Sequence, residues 1–235
     1  MYAEAFGAWA ESLMDAAFEK DRRRAIKEEK LGIEVTTGCN GACIHCFART
    51  GISQVSSLTI DLVKEIIGEG FTVGYRNLHI TGGEPLLWEG LFEALDYAFK
   101  TGYKTVSLNT NGTLLTKDVS KKLGVYDCLS VSVSLEGPQA LHRKLRGHGS
   151  YQKALVGITR ALDRGIDLII FTTATKSLLP ELPHFADDLY KTFPNINYLT
   201  LIQLINVRNN GFALSGELLE PENFIQLVQI VSLLN

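Results

Sequence analysis

Beyond residue 30 the hydrophobic period of the chain switches back and forth between two values. Short apolar and β-branched runs predict strands over 33–37, 77–81, 105–109, 128–135, 167–173 and 198–205. Between them, apolar positions recurring every third or fourth residue predict helices over 57–69, 88–101, 117–124, 151–164 and 180–192, the clearest with Leu91, Leu95, Ala98 and Phe99 on one face. Repeated βα units with short connections require a parallel sheet joined by right-handed crossovers. Six strands, where a closed barrel has eight, curve it into an α/β partial (β/α)6 barrel, TIM-like and open on one side. Ahead of this core, 3–28 reads as an amphipathic helix with Phe6, Trp9, Leu13 and Ala17 in period. The basic run from Lys20 to Arg24 is then a solvated helix end that complements the macrodipole. The expected organisation is a helical extension over 1–30, a core over 31–205 and a closing segment over 206–235. In that segment 206–211 breaks the period and Pro221 opens a last apolar helix. With no capping signal at its end, the expectation is a shortened chain or an end covered by a partner.

Composition narrows the classes. A chain of 235 residues that is 46% hydrophobic can bury one full core. The balance of 23 basic against 26 acidic residues leaves a net charge of -3, so no global field draws it to nucleic acid or to an anionic membrane. No run approaches the about 18 apolar residues of a membrane span. Glu4, Glu11 and Asp15 occupy the stretch where a signal peptide needs a basic start. The expectation is a cytoplasmic protein with no nucleic-acid and no membrane partner.

The chemistry gathers where strands end, as parallel βα architectures require. After the first strand comes Cys39-Asn40-Gly41-Ala42-Cys43-Ile44-His45-Cys46-Phe47. Three thiols on a Gly-bearing loop can converge on one [4Fe-4S] cube and leave one iron without a cysteine. A structural zinc site with His45 as fourth ligand is the alternative. Disulfides do not fit four cysteines in a chain without a secretion signal. Thr81-Gly82-Gly83-Glu84-Pro85 follows the second strand, Thr110-Asn111-Gly112 the third, and Ser134-Leu135-Glu136-Gly137-Pro138 ends the fourth. Gly82 and Gly83 remove side chains where a ligand must approach, and Glu84 is an acceptor suited to an ammonium group. As local sequence, Gly-Gly-Glu-Pro and Asn-Gly are also ordinary turns. Cys128 reads as a packing thiol in an apolar strand. His79 and His184 read as core or surface histidines, and Arg143 and Lys144 as a solvated helix face.

The Cys-x3-Cys-x2-Cys spacing followed by an aromatic resembles the signature of the radical S-adenosylmethionine (SAM) enzymes. His45 resembles the Cys-x-His-Cys variant of their peptide- and tetrapyrrole-modifying members, and residues 82–85 resemble their GGEP motif. The likeness covers about 33–205 and agrees with the partial barrel. It implies a [4Fe-4S] cluster held by Cys39, Cys43 and Cys46, with SAM chelated to the open iron by its amino and carboxylate groups. Gly82, Gly83 and Glu84 would meet the methionyl amino group and Asn111 would wall the site. The stretch 133–138 with Arg146-Gly147 is similar to the Ser-Leu-Asp-Gly-Pro and Arg-Gly pattern of sulfatase-maturing and peptide-modifying members. That likeness implies SAM contacts from Ser134 and Arg146. Glu136 stands where Asp is usual, and Arg143 where an acid is usual. The implied activity is reductive cleavage of SAM to a 5′-deoxyadenosyl radical that takes a substrate hydrogen, fed by a reductant such as flavodoxin or ferredoxin. A peptide or protein substrate is the first expectation, a small molecule of tetrapyrrole biosynthesis the second, and a non-catalytic iron-sulfur or zinc protein the third. Related enzymes continue into a cysteine-rich SPASM or twitch domain, whereas no cysteine follows Cys128 here.

Overall fold

The computed structural model describes residues 29–48, 55–205 and 212–234. The expected N-terminal helix, its basic run and the break at 206–211 lie outside the described residues. Six strands, β1 (Lys30–Glu34), β2 (Asn77–Thr81), β3 (Thr105–Thr110), β4 (Leu129–Ser134), β5 (Asp167–Ala174) and β6 (Tyr198–Gln203), form one parallel sheet in sequence order. The outer strands β1 and β6 do not pair with each other, so the sheet is a partial barrel and not a closed one. The helices are α1 (Ile60–Val73), α2 (Leu91–Thr101), α3 (Lys117–Leu123), α4 (Gln139–Arg146), α5 (Ser150–Leu162), α6 (Leu182–Thr192) and α7 (Pro221–Leu234).

One sheet face carries the core. Leu78 and Ile80 of β2, Val106 and Leu108 of β3, Val131 and Val133 of β4, and Leu168 and Ile170 of β5 are wholly buried in one hydrophobic cluster with residues of the helices. Alternation of side chains along a strand puts their neighbours on the other face. There the register sets Gly32 beside His79, His79 beside Ser107 and Ser107 beside Ser130. A deeper row sets Asn109 beside Ser132. Over β2 to β4 the inner face is therefore polar, in contrast to the packed apolar interior of a closed eight-stranded barrel, whereas β5 and β6 add Ile169, Phe171, Tyr198 and Ile202 to it.

Local signals account for the element ends. Thr59 caps α1 by accepting from Leu62 N at 3.3 Å, and Gly74 closes it in the left-handed region at φ 119°. The first strand starts and ends earlier than its hydrophobic run indicated, because Lys30 and Leu31 pair with Asn77 and Leu78. Beyond Glu34 the backbone still bonds Val35 N to Thr81 O at 2.9 Å, then turns away with Thr36 bridged to Ser57. Cys128 is exposed, not a packing thiol: β4 begins one residue later, and Cys128 sits in the turn that feeds it at the N-terminal rim of the sheet. His184 is on the surface, as are Arg143 and Lys144. Among the described residues no helix is long and apolar enough to cross a membrane.

Candidate active site

The cysteine loop is fastened from three sides. Its approach, Thr36 to Gly38, lies against the turn that follows β2: Gly83 N donates to Thr36 O at 2.6 Å and Glu84 N to Gly38 O at 2.8 Å. A Cβ on Gly82 would stand 2.5 Å from Thr36 O and one on Gly83 2.2 Å from Gly38 O. The space opened by these glycines is thus taken by the chain's own backbone, which a side chain would displace. On a second side Ile44 N donates to Leu145 O at 2.9 Å, at the C-terminal turn of α4. On the third, Asn111 Nδ2 reaches Asn40 Oδ1 at 2.8 Å and Asn40 Nδ2 reaches Thr113 Oγ1 at 2.9 Å.

Glu84 is fully buried, and both its oxygens are used internally. Oε1 accepts from Thr110 Oγ1 at 2.7 Å and Leu86 N at 3.2 Å, and Oε2 from Asn111 N at 2.8 Å. Burial raises its pKa, and the three donors and the Arg146 charge offset part of that rise. Glu84 thereby welds the end of β2 to the end of β3 and orients Asn111, whose Nδ2 also lies 4.0 Å from Cys39 Sγ. Two adjacent strand ends, one acidic and one bearing Thr110-Asn111, carried the signal for this contact.

Glu136 is the second buried carboxylate, just past the end of β4. Its Oε1 accepts from Arg146 Nε at 2.7 Å and Nη2 at 2.5 Å and lies 3.3 Å from His45 Nε2. Its Oε2 accepts from Thr173 N of β5 at 2.5 Å. Burial alone would raise this carboxyl, yet the Arg146 guanidinium and His45 hold it far below the usual carboxylate range. The remaining Arg146 nitrogen, Nη1, is 3.7 Å from Cys43 Sγ. Behind this group His142 is buried, accepts from Glu136 N at 3.2 Å through Nδ1, and sets its ring edgewise on Tyr151. Burial first and the Arg146 charge second push its pKa down to about 4. Ser134 stands half-buried at the end of β4, level with Phe171.

The structure therefore brings Cys39, Cys43, Glu84, Asn111, Glu136 and Arg146 to one end of the sheet. The sequence reading missed Glu136 and His45 as partners and Thr110 as an anchor. Glu136 stood out only as a departure from a pattern.

The donor set fits an iron-sulfur cluster. Gly41 N donates to Cys39 Sγ at 3.3 Å, and Gly41 lies where a Cβ would meet both Cys39 and Cys43 sulfurs at 3.7 Å. Burial raises the Cys43 thiol, Arg146 lowers it, and Cys39, Cys46 and Glu136 raise it further. Mutual repulsion of this kind is relieved when thiolates share a cationic iron centre, which displaces their protons. The zinc alternative asks for four ligands around one ion. Among the described residues, no three His, Cys, Asp or Glu side chains gather around a position for a single metal ion.

A six-stranded parallel partial barrel with a three-cysteine loop beyond β1 defines a fold class that generates radicals from SAM. Residues 33–189 match the Radical SAM superfamily, and the chain belongs to that superfamily. It is 37% identical over 152 residues to an AdoMet-dependent heme synthase of Methanosarcina barkeri, covering 63% of this chain and 43% of that protein. It is 32% identical over 155 residues to the mycofactocin maturase MftC of Mycolicibacterium smegmatis, covering 65% and 39%. Streptococcus suis SuiB, solved with S-adenosylmethionine bound, shares the fold at a TM-score of 0.75 and 17% identity, over 86% of this chain and 46% of that one. The chain spans about half the length of the curated relatives it matches, or less.

Proposed function

We propose that residues 31–205 are the radical-generating core of an enzyme that modifies a peptide or protein, with 1–30 and 206–235 as flanking segments. Cys39, Cys43 and Cys46 hold a [4Fe-4S] cluster, and Gly82, Gly83, Asn111 and Ser134 border the SAM site. When bound, the cluster and SAM supply a 5′-deoxyadenosyl radical that removes a substrate hydrogen. The chain's own share is to seat the cysteine loop, orient SAM and exclude water. Glu84, buried behind Asn111, acts on the SAM site by fixing that residue. The observation that carries the reading is the cysteine loop itself, bonded at once to the strand-end turns after β2 and β3 and to α4 beyond β4. A reductant such as flavodoxin or ferredoxin is the expected electron source, in a cytoplasmic setting.

The polar part of the inner sheet face, mainly on β2 to β4, supports a peptide over a tetrapyrrole. His79, Ser107, Asn109, Ser130, Ser132 and Thr173 on it are neutral hydrogen-bonding groups, and burial together with the Lys30 charge lowers the pKa of His79 so that it stays uncharged. Asn109 Oδ1 is buried without a partner among the described residues. The charges sharing this face, Lys30, Glu34 and Asp167, are exposed and at its rims. Peptide amides match such a lining, whereas the carboxylates of a tetrapyrrole are held most strongly by guanidinium or ammonium groups. The test is anaerobic incubation with dithionite, SAM and either a pool of short capped peptides or iron coproporphyrin, read by mass spectrometry. Formation of 5′-deoxyadenosine, enhanced by peptides, is expected. Enhancement by the porphyrin alone would overturn the substrate reading, and no deoxyadenosine at all would overturn the activity.

A further inference from the structure

We infer that Arg146 serves the cluster itself, as a donor to the Cys43 sulfur, and that Glu136 is the positioning residue that aims it. The inference rests on the cluster assignment proposed above. A guanidinium has five N–H donors in a fixed planar fork. Here one edge of that fork, Nε with Nη2, is fully taken by Glu136 Oε1 at 2.7 and 2.5 Å. The fork's other nitrogen, Nη1, has Cys43 Sγ at 3.7 Å. Arg146 thereby bridges Glu136 and Cys43 with three of its five N–H donors.

Glu136 is itself immobilised. Its second oxygen is bonded to Thr173 N on β5, its own backbone N–H is bonded to His142 Nδ1, and its side chain is 1% exposed. A carboxylate anchored to the strand behind it cannot swing, so the guanidinium it grips cannot either. Oε1, the oxygen that grips Arg146, also faces His45, which lies between Cys43 and Cys46, so the loop is steered at a second point. The longer side chain at 136 suits this span from β4 to both α4 and the cysteine loop.

Hydrogen bonds and positive charge at a cysteinyl sulfur stabilise the more negative, reduced form of an iron-sulfur cluster and raise its potential. Uptake of one electron from an external low-potential donor, dithionite in the test, makes the cluster more negative by one charge. Arg146 offsets that charge through Cys43. Its effect is therefore read in reducibility, which the test measures apart from the affinity for SAM.

The experiment uses the full chain with the cluster reconstituted anaerobically, comparing wild type, Arg146→Gln, Arg146→Lys and Glu136→Asp. Iron content, the midpoint potential from an EPR-monitored titration, and SAM affinity by calorimetry are measured on each. Arg146→Gln is expected to shift the midpoint to more negative potential at unchanged iron content, with Arg146→Lys recovering part of the shift. Glu136→Asp keeps the charge but shortens the reach, and is expected to shift the midpoint in the same direction by less. Unchanged potentials in iron-loaded variants overturn the inference. So does an unchanged potential with weakened SAM binding, which would make Arg146 a SAM contact instead. Should Arg146→Gln fail to load iron, the Lys and Asp variants decide on the same criterion. Failure of the wild type to bind iron would refute the cluster assignment, a result distinct from either.

Discussion

Gly83 and His142 show how single residues here are set by contacts a sequence does not print. Gly83 reads in the sequence as exposing backbone to a ligand, and its missing side chain also leaves room for Gly38 O. Gly83→Ala must push the approach to Cys39 outward, so it is expected to lose about 1–3 kcal/mol of stability and much of its iron content together. Thermal melts and iron analysis check both. Had the glycine served the ligand alone, iron would be retained. His142 gives a pH dependence of known sign. Its folded pKa of about 4 lies below the ordinary histidine value of 6.5, so the unfolded chain binds the extra proton first. Stability is then lost as pH falls from about 6.5 toward 4, by up to about 1.4 kcal/mol per unit. Denaturant titrations of wild type and His142→Gln across that range should show the slope in the former and a weaker one in the latter.

At the level of elements, α4 and the closing segment depend on one another. The 3-10 turn Phe212–Glu217 presents Glu217 to Lys144 of α4 and to Ser177, whose N and Oγ donate at 3.0 and 2.7 Å. Leu145, Leu204 and Leu214 form a small apolar cluster beside it. Burial raises the Glu217 carboxyl, and the Lys144 and Ser177 bonds outweigh that and hold it below its ordinary value of 4.5. Its stabilisation is therefore present above that pH and lost as pH falls through the depressed value. Glu217→Gln is expected to cost about 1–2 kcal/mol at neutral pH, with the difference from wild type shrinking toward pH 4. Melting temperatures at the two pH values test this. The strands and most helices were legible because their apolar positions keep period two or 3.6. The extent of helix α4 was not, since only Leu145 and His142 of Gln139–Arg146 are buried and its Arg143 and Lys144 mark no more than a solvated face. Nor was the exposure of Cys128, which turns on whether β4 starts at 128 or 129. The motifs at the strand ends were legible as types and places. The Glu136, Arg146 and Cys43 contact was not, because it depends on where the end of β4, the last turn of α4 and the cysteine loop meet in space.

Across the described residues, six parallel strands carry an apolar face to the helices and, over β2 to β4, a polar face inward, and every candidate site residue lies at one end of that sheet. The central claim is that this end holds one [4Fe-4S] cluster on Cys39, Cys43 and Cys46, with SAM at the open iron. The most direct measurement is Mössbauer and EPR spectroscopy with iron and sulfide analysis on anaerobically reconstituted protein, with and without SAM. About four irons and four sulfides per chain are expected. They should be lost in Cys39→Ala, Cys43→Ala or Cys46→Ala and retained in the exposed Cys128→Ala, and SAM should change the signal of the reduced cluster. Stoichiometric zinc with no iron uptake, or a cluster signal blind to SAM, would contradict the account.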